Sequence, residues 1–328
     1  MAGPLPYYCG VQSAPLLARL LPMLLAIGVG VLIVTQARLN SEIVALGLAP
    51  ASAALLTFGT GMTVTVVLTA LVPRLRLGLG QLRRQLSAGR AGGLAWWYLL
   101  GGLGGAFFVT TQGVAGPVIG VAVFSVAVVA GQTSNSLLVD RLGLGPAGVL
   151  VVTGPRVAGA LLAVVGVAVA SWQQLSGGAL GLVLLTVLAG GMTAWQQAVN
   201  GRVALAAGHV WIAGLVNFLV GFLVLLVVSL ILTRWPDPDA LRWWMPLAGL
   251  CGLSFIVLGA WVVRRLGVLL MLLFVVAGQV FGGIAITLWW PVGDGSVSVA
   301  VWCGAFLTLA AAGLAGWRRA PAPDRSHF

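Results

Sequence analysis

Gly30-Val-Leu-Ile-Val-Thr-Gln36-Ala-Arg-Leu-Asn40 and Gly190-Gly-Met-Thr-Ala-Trp-Gln196-Gln-Ala-Val-Asn200 are two stretches of one chain, and reading them together decides the fold. Each is an apolar run carrying a Gln and an Asn four residues apart, a spacing that puts both on one helix face. They lie 160 residues apart, and the match continues without a gap: Ala53 falls on Ala213, Leu55 on Leu215, Phe58 on Phe218 and Gly61 on Gly221. At an offset of 147, Trp96–Trp97 fall on Trp243–Trp244, Gly102 on Gly249, Gly105 on Gly252 and Phe108 on Phe255. At the same offset Gly120 falls on Gly267, and Val129-Ala130-Gly131-Gln132 on Val276-Ala277-Gly278-Gln279. The 13-residue difference belongs to one loop, shorter in the second half. Ungapped runs that keep the same polar residues in apolar sequence mark an internal repeat.

The repeat sits in a chain of 328 residues, 60% hydrophobic and 7% charged, with a mean hydropathy of +1.09. A soluble domain carries roughly 25% charged residues. This chain cannot cover a water-facing surface, which excludes a soluble enzyme, a nucleic-acid-binding domain and a disordered chain. Its formal charge of +11 is entirely arginine, set mostly between apolar stretches, and reads as a topology signal, so no nucleic-acid partner is expected.

A span needs about 20 mostly apolar residues, and ten are expected: 21–41, 50–72, 94–112, 117–139, 152–171, 178–200, 209–233, 243–263, 266–289 and 297–317. All are expected to be helices, because lipid offers the backbone no partner. Of the 17 arginines, 14 fall on the side of the termini and three (Arg38, Arg234, Arg242) on the other. Excess arginine marks the cytoplasmic side, so both termini are placed there, in a multi-pass protein of a bacterial inner membrane. Paired tryptophans near span ends fit interfacial anchors. The basic and apolar run from Arg19 resembles a signal peptide but lacks its cleavage site, and is read as an uncleaved first span.

Five spans per half turn the second half upside down, which defines an inverted-topology repeat. The expected divisions are an N-terminal extension at 1–20, a first repeat at 21–172, an inverted second repeat at 173–318 and a cytoplasmic tail at 319–328. The arginine-rich loop at 73–93 has as its partner 234–242, where two Arg are balanced by Asp237 and Asp239. Inverted repeats suit alternating access, so a secondary transporter is the expected class.

The element Gly30…Gln36-x-x-x-Asn40 followed by Phe58-x-x-Gly61, then Gly131-Gln132, Asp140-x-x-Gly143 and Arg156-x-x-Gly159, resembles the YdcZ-type inner-membrane proteins of the drug/metabolite transporter superfamily. The resemblance covers residues 21 to 317 and matches the fused ten-span form. It implies an inner-membrane exporter with a central cavity lined by spans one to four and six to nine, the fifth and tenth being peripheral. Small multidrug resistance proteins, remote relatives there, couple protons through a carboxylate in mid span one. Residues 25–36 here contain no acid, and Glu42 and Asp140 lie near span ends, so a central proton-coupling carboxylate is not supported.

Polar groups inside spans are costly unless partnered, and mark candidate paths. The substrate-path candidates are Gln36, Asn40, Gln132, Asn135, Gln196, Asn200 and Gln279. Their amides donate and accept, which suits a neutral polar or zwitterionic solute; the competing reading is helix-to-helix bonding. Asp140 and Arg156 flank one connection and are candidates for a salt bridge closing it or gating the cytoplasmic mouth. Asn217 matches Thr57, lacks a counterpart of its own kind there, and is read as structural. Cys9, Cys251 and Cys303 stand alone, as do His209 and His327, so no disulfide, zinc site or other metal is expected. No paired acids, His cluster or activated nucleophile lies within the spans, so neither catalysis nor a cofactor is expected.

The function expected is a secondary transporter, in the export direction, of small polar or amphipathic metabolites. The alternatives are a translocator of lipid or lipid-linked substrates, which calls for a cavity open to the bilayer with a phosphate-reading Arg, and a non-transporting accessory subunit. The expected partners are a small-molecule substrate and the lipid bilayer, with a homodimer as a further option.

Overall fold

The computed structural model describes residues 16–88, 93–146, 148–149, 151–172, 178–232, 240–291 and 297–316. Expectations that fall on residues 1–15, on the tail, on Cys9, His327, Arg90, Arg234, Asp237 and Asp239, and on the 172/173 repeat boundary lie outside the described residues.

The described residues are helical throughout. The order is α1 (Leu16–Ala45), α2 (Pro50–Leu71), α3 (Pro73–Ser87), a 3-10 turn (Trp96–Leu100) leading into α4 (Gly101–Ile119), α5 (Val121–Arg141), α6 (Gly154–Ala170), α7 (Leu180–Ala207), α8 (Val210–Leu232), α9 (Leu247–Trp289) and α10 (Val299–Gly316). Among the described residues, six helices are long and apolar enough to cross a membrane, and three shorter apolar helices accompany them, at Gly154–Ala170, Leu273–Trp289 and Val299–Ala315. Hydroxyls inside the helices bond back to their own chain four residues earlier, as Thr35, Thr65, Ser125 and Thr308 do. They therefore need no partner from lipid or a neighbouring helix.

Two elements depart from the sequence reading. The arginine-rich stretch expected as a loop forms α3. Pro73 opens it, and Leu75, Gly78 and Leu82 bury one face against Ala207 and Ile212, while Arg74, Arg76, Arg83 and Arg84 stay exposed. The spacing of three and four residues was the signal. The second departure is α4, which runs through Gly113 and Gly116 because both pack on α1 and α2, at Val44, Pro50 and Ser41. It ends at Gly120, whose φ of 77° lets the chain reverse.

α9 is helical over 43 residues, about 65 Å if straight. It is not straight. Gly252 packs on Gln36 and Gly278 on Ile27, positions about 13 Å apart along α1, whereas 26 residues of straight helix span about 39 Å. The order along α1 also reverses. Gly252 lies at Gln36, and Val262 clusters with Ala26 and Val29. Beyond the turn Gly278 lies at Ile27, Gly282 at Val31 and Val34, and Trp290 at Arg38. α9 therefore doubles back between Val262 and Met271, where the first half separates α4 from α5 at Gly120.

Contacts across the molecule come in matched pairs. A methyl on Gly30 would strike the Val275 carbonyl, and one on Gly190 the Val128 carbonyl. A methyl on Gly131 would strike the Val187 carbonyl, and one on Gly278 the Ile27 carbonyl. Gly61 faces the Phe218 ring and Gly221 the Phe58 ring, the two rings meeting edge to face at 5.4 Å. Each pair interconverts under the offsets of 160 and 147, so α1 meets α9 as α7 meets α4 and α5. Lipid gives helices no hydrophobic drive to associate, so close backbone approach at small residues supplies the contact. α6 and α10 pack on each other in the same manner, Gly159 on Ala311 and Ala315, Gly166 on Gly304 and Thr308.

Candidate functional site

The amides form two lattices at matched places. In the first, Asn40 is fully buried and donates to Gln112 Oε1 at 2.8 Å, while Thr57 donates to Asn40 Oδ1 at 2.7 Å. Ser41 donates to the Gln112 carbonyl at 3.2 Å. These bonds tie α1, α2 and α4 together. Sequence reading missed Gln112; its signal is a lone amide inside an apolar, glycine-rich span. The buried Gln112 Nε2 has no partner among the described residues.

In the second lattice Gln196 and Asn200 both donate to Asn217 Oδ1, at 2.8 and 3.0 Å. Asn217 thus stands where the first half has Thr57, and ties α7 to α8. Between α5 and α7, Gln132 donates to Thr193 at 3.0 Å and Asn135 to the Gly191 carbonyl at 2.7 Å. Gln279, matched to Gln132, is buried with Oε1 unpartnered among the described residues, and Ile33 stands where Thr193 accepts from Gln132. Gln36 and Gln196 are matched as well, lying against Gly252 and Gly105.

Arginines clamp the helix ends. Arg38 is buried, donates to the carbonyls of Trp290 and Pro291 at 3.1 and 3.5 Å, and lies 4.5 Å from the Trp290 ring centre. Arg202 donates to the carbonyls of Gly143 and Leu144 at 2.9 and 3.4 Å. Gly143 and Leu144 match Trp290 and Pro291 at the offset of 147, so each clamp satisfies carbonyls left over at a helix C-terminus. Only Arg38 has a counter-ion: its Nη1 pairs with Glu42 Oε2 at 2.5 Å. Asp140 and Arg156 form a second ion pair, bridging the end of α5 to the start of α6. The two acids among the described residues are thus both paired with arginine.

A groove of about 630 Å³ opens between α1 and the first limb of α9. Leu32, Thr35 and Leu39 of α1 and Leu247, Leu250, Cys251 and Ser254 of α9 line it. Glu42 and Trp243, Trp244 and Trp290 close its polar end. None of the seven amide candidates belongs to its wall. The matched place between α7 and α4 is closely packed at one glycine. Gly104, matched to Cys251, lets α4 approach so near that a Cβ there would stand 2.8 Å from the Met192 carbonyl. At the polar end of that matched place Arg202 replaces Glu42 and Gly143 replaces Trp290.

Among the described residues no cluster of His, Cys, Asp or Glu could hold a metal ion. The arrangement offers an amphipathic groove, two amide lattices and clamped helix ends.

A family model described as "Putative inner membrane exporter, YdcZ" matches the chain twice, at residues 21–169 and 170–314. No curated protein matches. A solved structure described only as a protein crystal structure superposes with a TM-score of 0.50 at 19% identity, covering 90% of this chain and 97% of its own. That likeness shows a shared fold and nothing more.

Proposed function

The chain belongs to the YdcZ inner-membrane exporter family, and from that premise we propose that it is a secondary transporter, exporting small polar or amphipathic solutes by alternating access between two inverted repeats. In this reading the chain crosses the membrane ten times with both termini in the cytoplasm, and the repeats are exchanged by a pseudo-two-fold axis in the membrane plane. Each half can then take the packing now held by the other.

One observation carries the reading. The glycine contacts obey the two repeat offsets from Gly30 to Gly278, while a groove opens at Cys251 where the matched Gly104 packs closely on Met192. Two halves of similar sequence in unlike packings are what alternating access requires. The lipid-phosphate alternative calls for an arginine in a cavity. The groove wall holds Glu42 and no arginine, and Arg156 is committed to Asp140, so the groove favours a solute without a phosphate.

Thiol labelling tests the reading. In a protein with its three native cysteines replaced by Ser, Ser254→Cys should react with an impermeant reagent applied to the periplasmic face, and Phe107→Cys should resist it from either face. Cross-linking that shuts the Ser254 groove should expose Phe107→Cys to the cytoplasmic face and stop transport. Labelling of Ser254→Cys from the cytoplasmic face alone would overturn the topology. Phe107→Cys staying protected while the groove is shut would overturn the exchange.

A further inference from the structure

We propose that the groove between α1 and the first limb of α9 binds a cationic amphipath, its ammonium or guanidinium group at Glu42 and its apolar tail along Leu32, Leu39, Leu247 and Leu250. The inference deepens the transport reading and rests on it for the claim that a bound solute moves onward.

Charge placement is the first argument. Glu42 is the one charged residue in the groove wall. Its partner Arg38 is turned away. The Arg38 side chain is 5% exposed and that of Glu42 is 30%, and the guanidinium is occupied by two carbonyls and the Trp290 ring. The Arg38 bond takes one carboxylate oxygen of Glu42, Oε2, and leaves the other without a partner among the described residues.

Aromatic placement is the second. Trp243, Trp244 and Trp290 stand in the same wall as Glu42. Ring faces attract a cation, most strongly a desolvated one, and aromatic cages are how proteins hold quaternary ammonium groups. The shape of the groove is the third. From Leu32 to Glu42 it follows about 15 Å of helix, and exposed Leu247 and Leu250 leave it open at the side, so an alkyl tail can enter from the bilayer. The matched end of the other half carries Arg202 where this one carries Glu42, and would repel the same ligand.

The test is equilibrium binding of radiolabelled octyltrimethylammonium to the full chain in phosphatidylcholine nanodiscs. Saturable binding at one site per chain is expected, not displaced by equal concentrations of octyl sulfate or octanol. Glu42→Gln should weaken it at least about tenfold, the loss of one strong charged contact being worth about 1.4 kcal/mol or more. Glu42→Asp should retain part of it. Trp243→Leu, at a ring exposed on the surface, should weaken it several-fold without touching the Arg38 clamp. Equal displacement by octyl sulfate, or full affinity in Glu42→Gln, would overturn the proposal. If Glu42→Gln does not fold, Trp243→Leu and the sulfate competition decide. Binding needs no turnover: Glu42-dependent binding without movement in liposomes would overturn the exporter reading and leave the groove site standing. Transport of other solutes without this binding would do the reverse.

Discussion

Glu42 and Arg202 occupy matched positions, 160 residues apart, near the ends of α1 and α7, and they do opposite things. Arg202 is itself the clamp on the carbonyls that end α5. In the first half the clamp on the end of α9 comes from Arg38, one helical turn earlier, which leaves position 42 for an acid. The same physical requirement, donors for leftover carbonyls where α5 and α9 end, is met from two registers. The displaced register leaves an Arg38–Glu42 ion pair at one end and an arginine clamp with no acid among the described residues at the other. Repeats thus keep their backbone contacts and diverge where side chains meet solute or solvent.

The largest break in this comparison is expected at the clamps. Arg38→Met leaves Glu42, 30% exposed, without its counter-ion and two carbonyls without a donor, which should cost about 3 kcal/mol, the low end for a buried pair. Arg202→Met removes charge-assisted bonds alone and should cost about 1.5–3 kcal/mol. Unfolding midpoints of both variants in one detergent measure the difference; equal losses would show that the clamps are equivalent and Glu42 incidental.

Next come the glycines at the closest backbone approaches. Gly131→Val and Gly278→Val each drive a side chain into a carbonyl of the facing helix, and should each cost about 3 kcal/mol or more. Gly28→Ala, with nothing within 4 Å, should gain up to about 1 kcal/mol from helix propensity. A tolerated Gly131→Val would show that α5 and α7 can separate there, and the pairing of halves would lose its anchor.

A smaller effect distinguishes the two grooves. Gly104→Ala should cost about 1–3 kcal/mol through overpacking and make Phe107→Cys reactive to thiol reagents. Cys251→Gly should cost little and reduce labelling of Ser254→Cys as α9 settles onto α1. If neither substitution moves the labelling, the residue at this matched position does not set which groove is open.

The amide lattices should differ by still less. Asn40→Ala strips a partner from both Thr57 and Gln112, and should approach the upper bound of about 1.7 kcal/mol for a bond inside a membrane. Asn200→Ala leaves Gln196 on Asn217, and should lie near the mean of about 0.6 kcal/mol. The smallest shift is expected from Gln279→Leu. Removing an unpartnered buried oxygen should leave the midpoint within about 1 kcal/mol or raise it. Loss of transport with an unchanged midpoint would assign Gln279 to the solute path.

Much of the architecture is legible in the sequence because lipid restricts the options: an apolar stretch must be a helix, so locating it nearly describes it. The register of the repeats follows from glycines and amides that stand out against an apolar background, whereas the break between the third and fourth spans, expected at 113–116, lies at Gly120. α3 was legible in principle, from Leu75, Gly78 and Leu82, but arginine density masked it. The site was less legible. Gln36, Asn40, Gln132, Asn135, Gln196, Asn200 and Gln279 are conspicuous because amides are rare in spans, yet five of them spend hydrogen bonds on neighbouring helices or, for Asn40 and Asn200, on a shared lattice. The groove is built from Leu, Trp, Cys and one Glu, residues that look like ordinary span and interface composition.

By itself the sequence determined the class of the protein, its repeat, its helices and the positions where backbones approach, because composition and glycine placement act locally or through a fixed offset. Only the tertiary structure decided which polar groups are already partnered, that α9 folds back along α1, and that a groove lies open at Cys251 where the matched Gly104 packs closely on Met192. Those outcomes depend on which helix faces meet, and two halves with matched glycines can meet in more than one way.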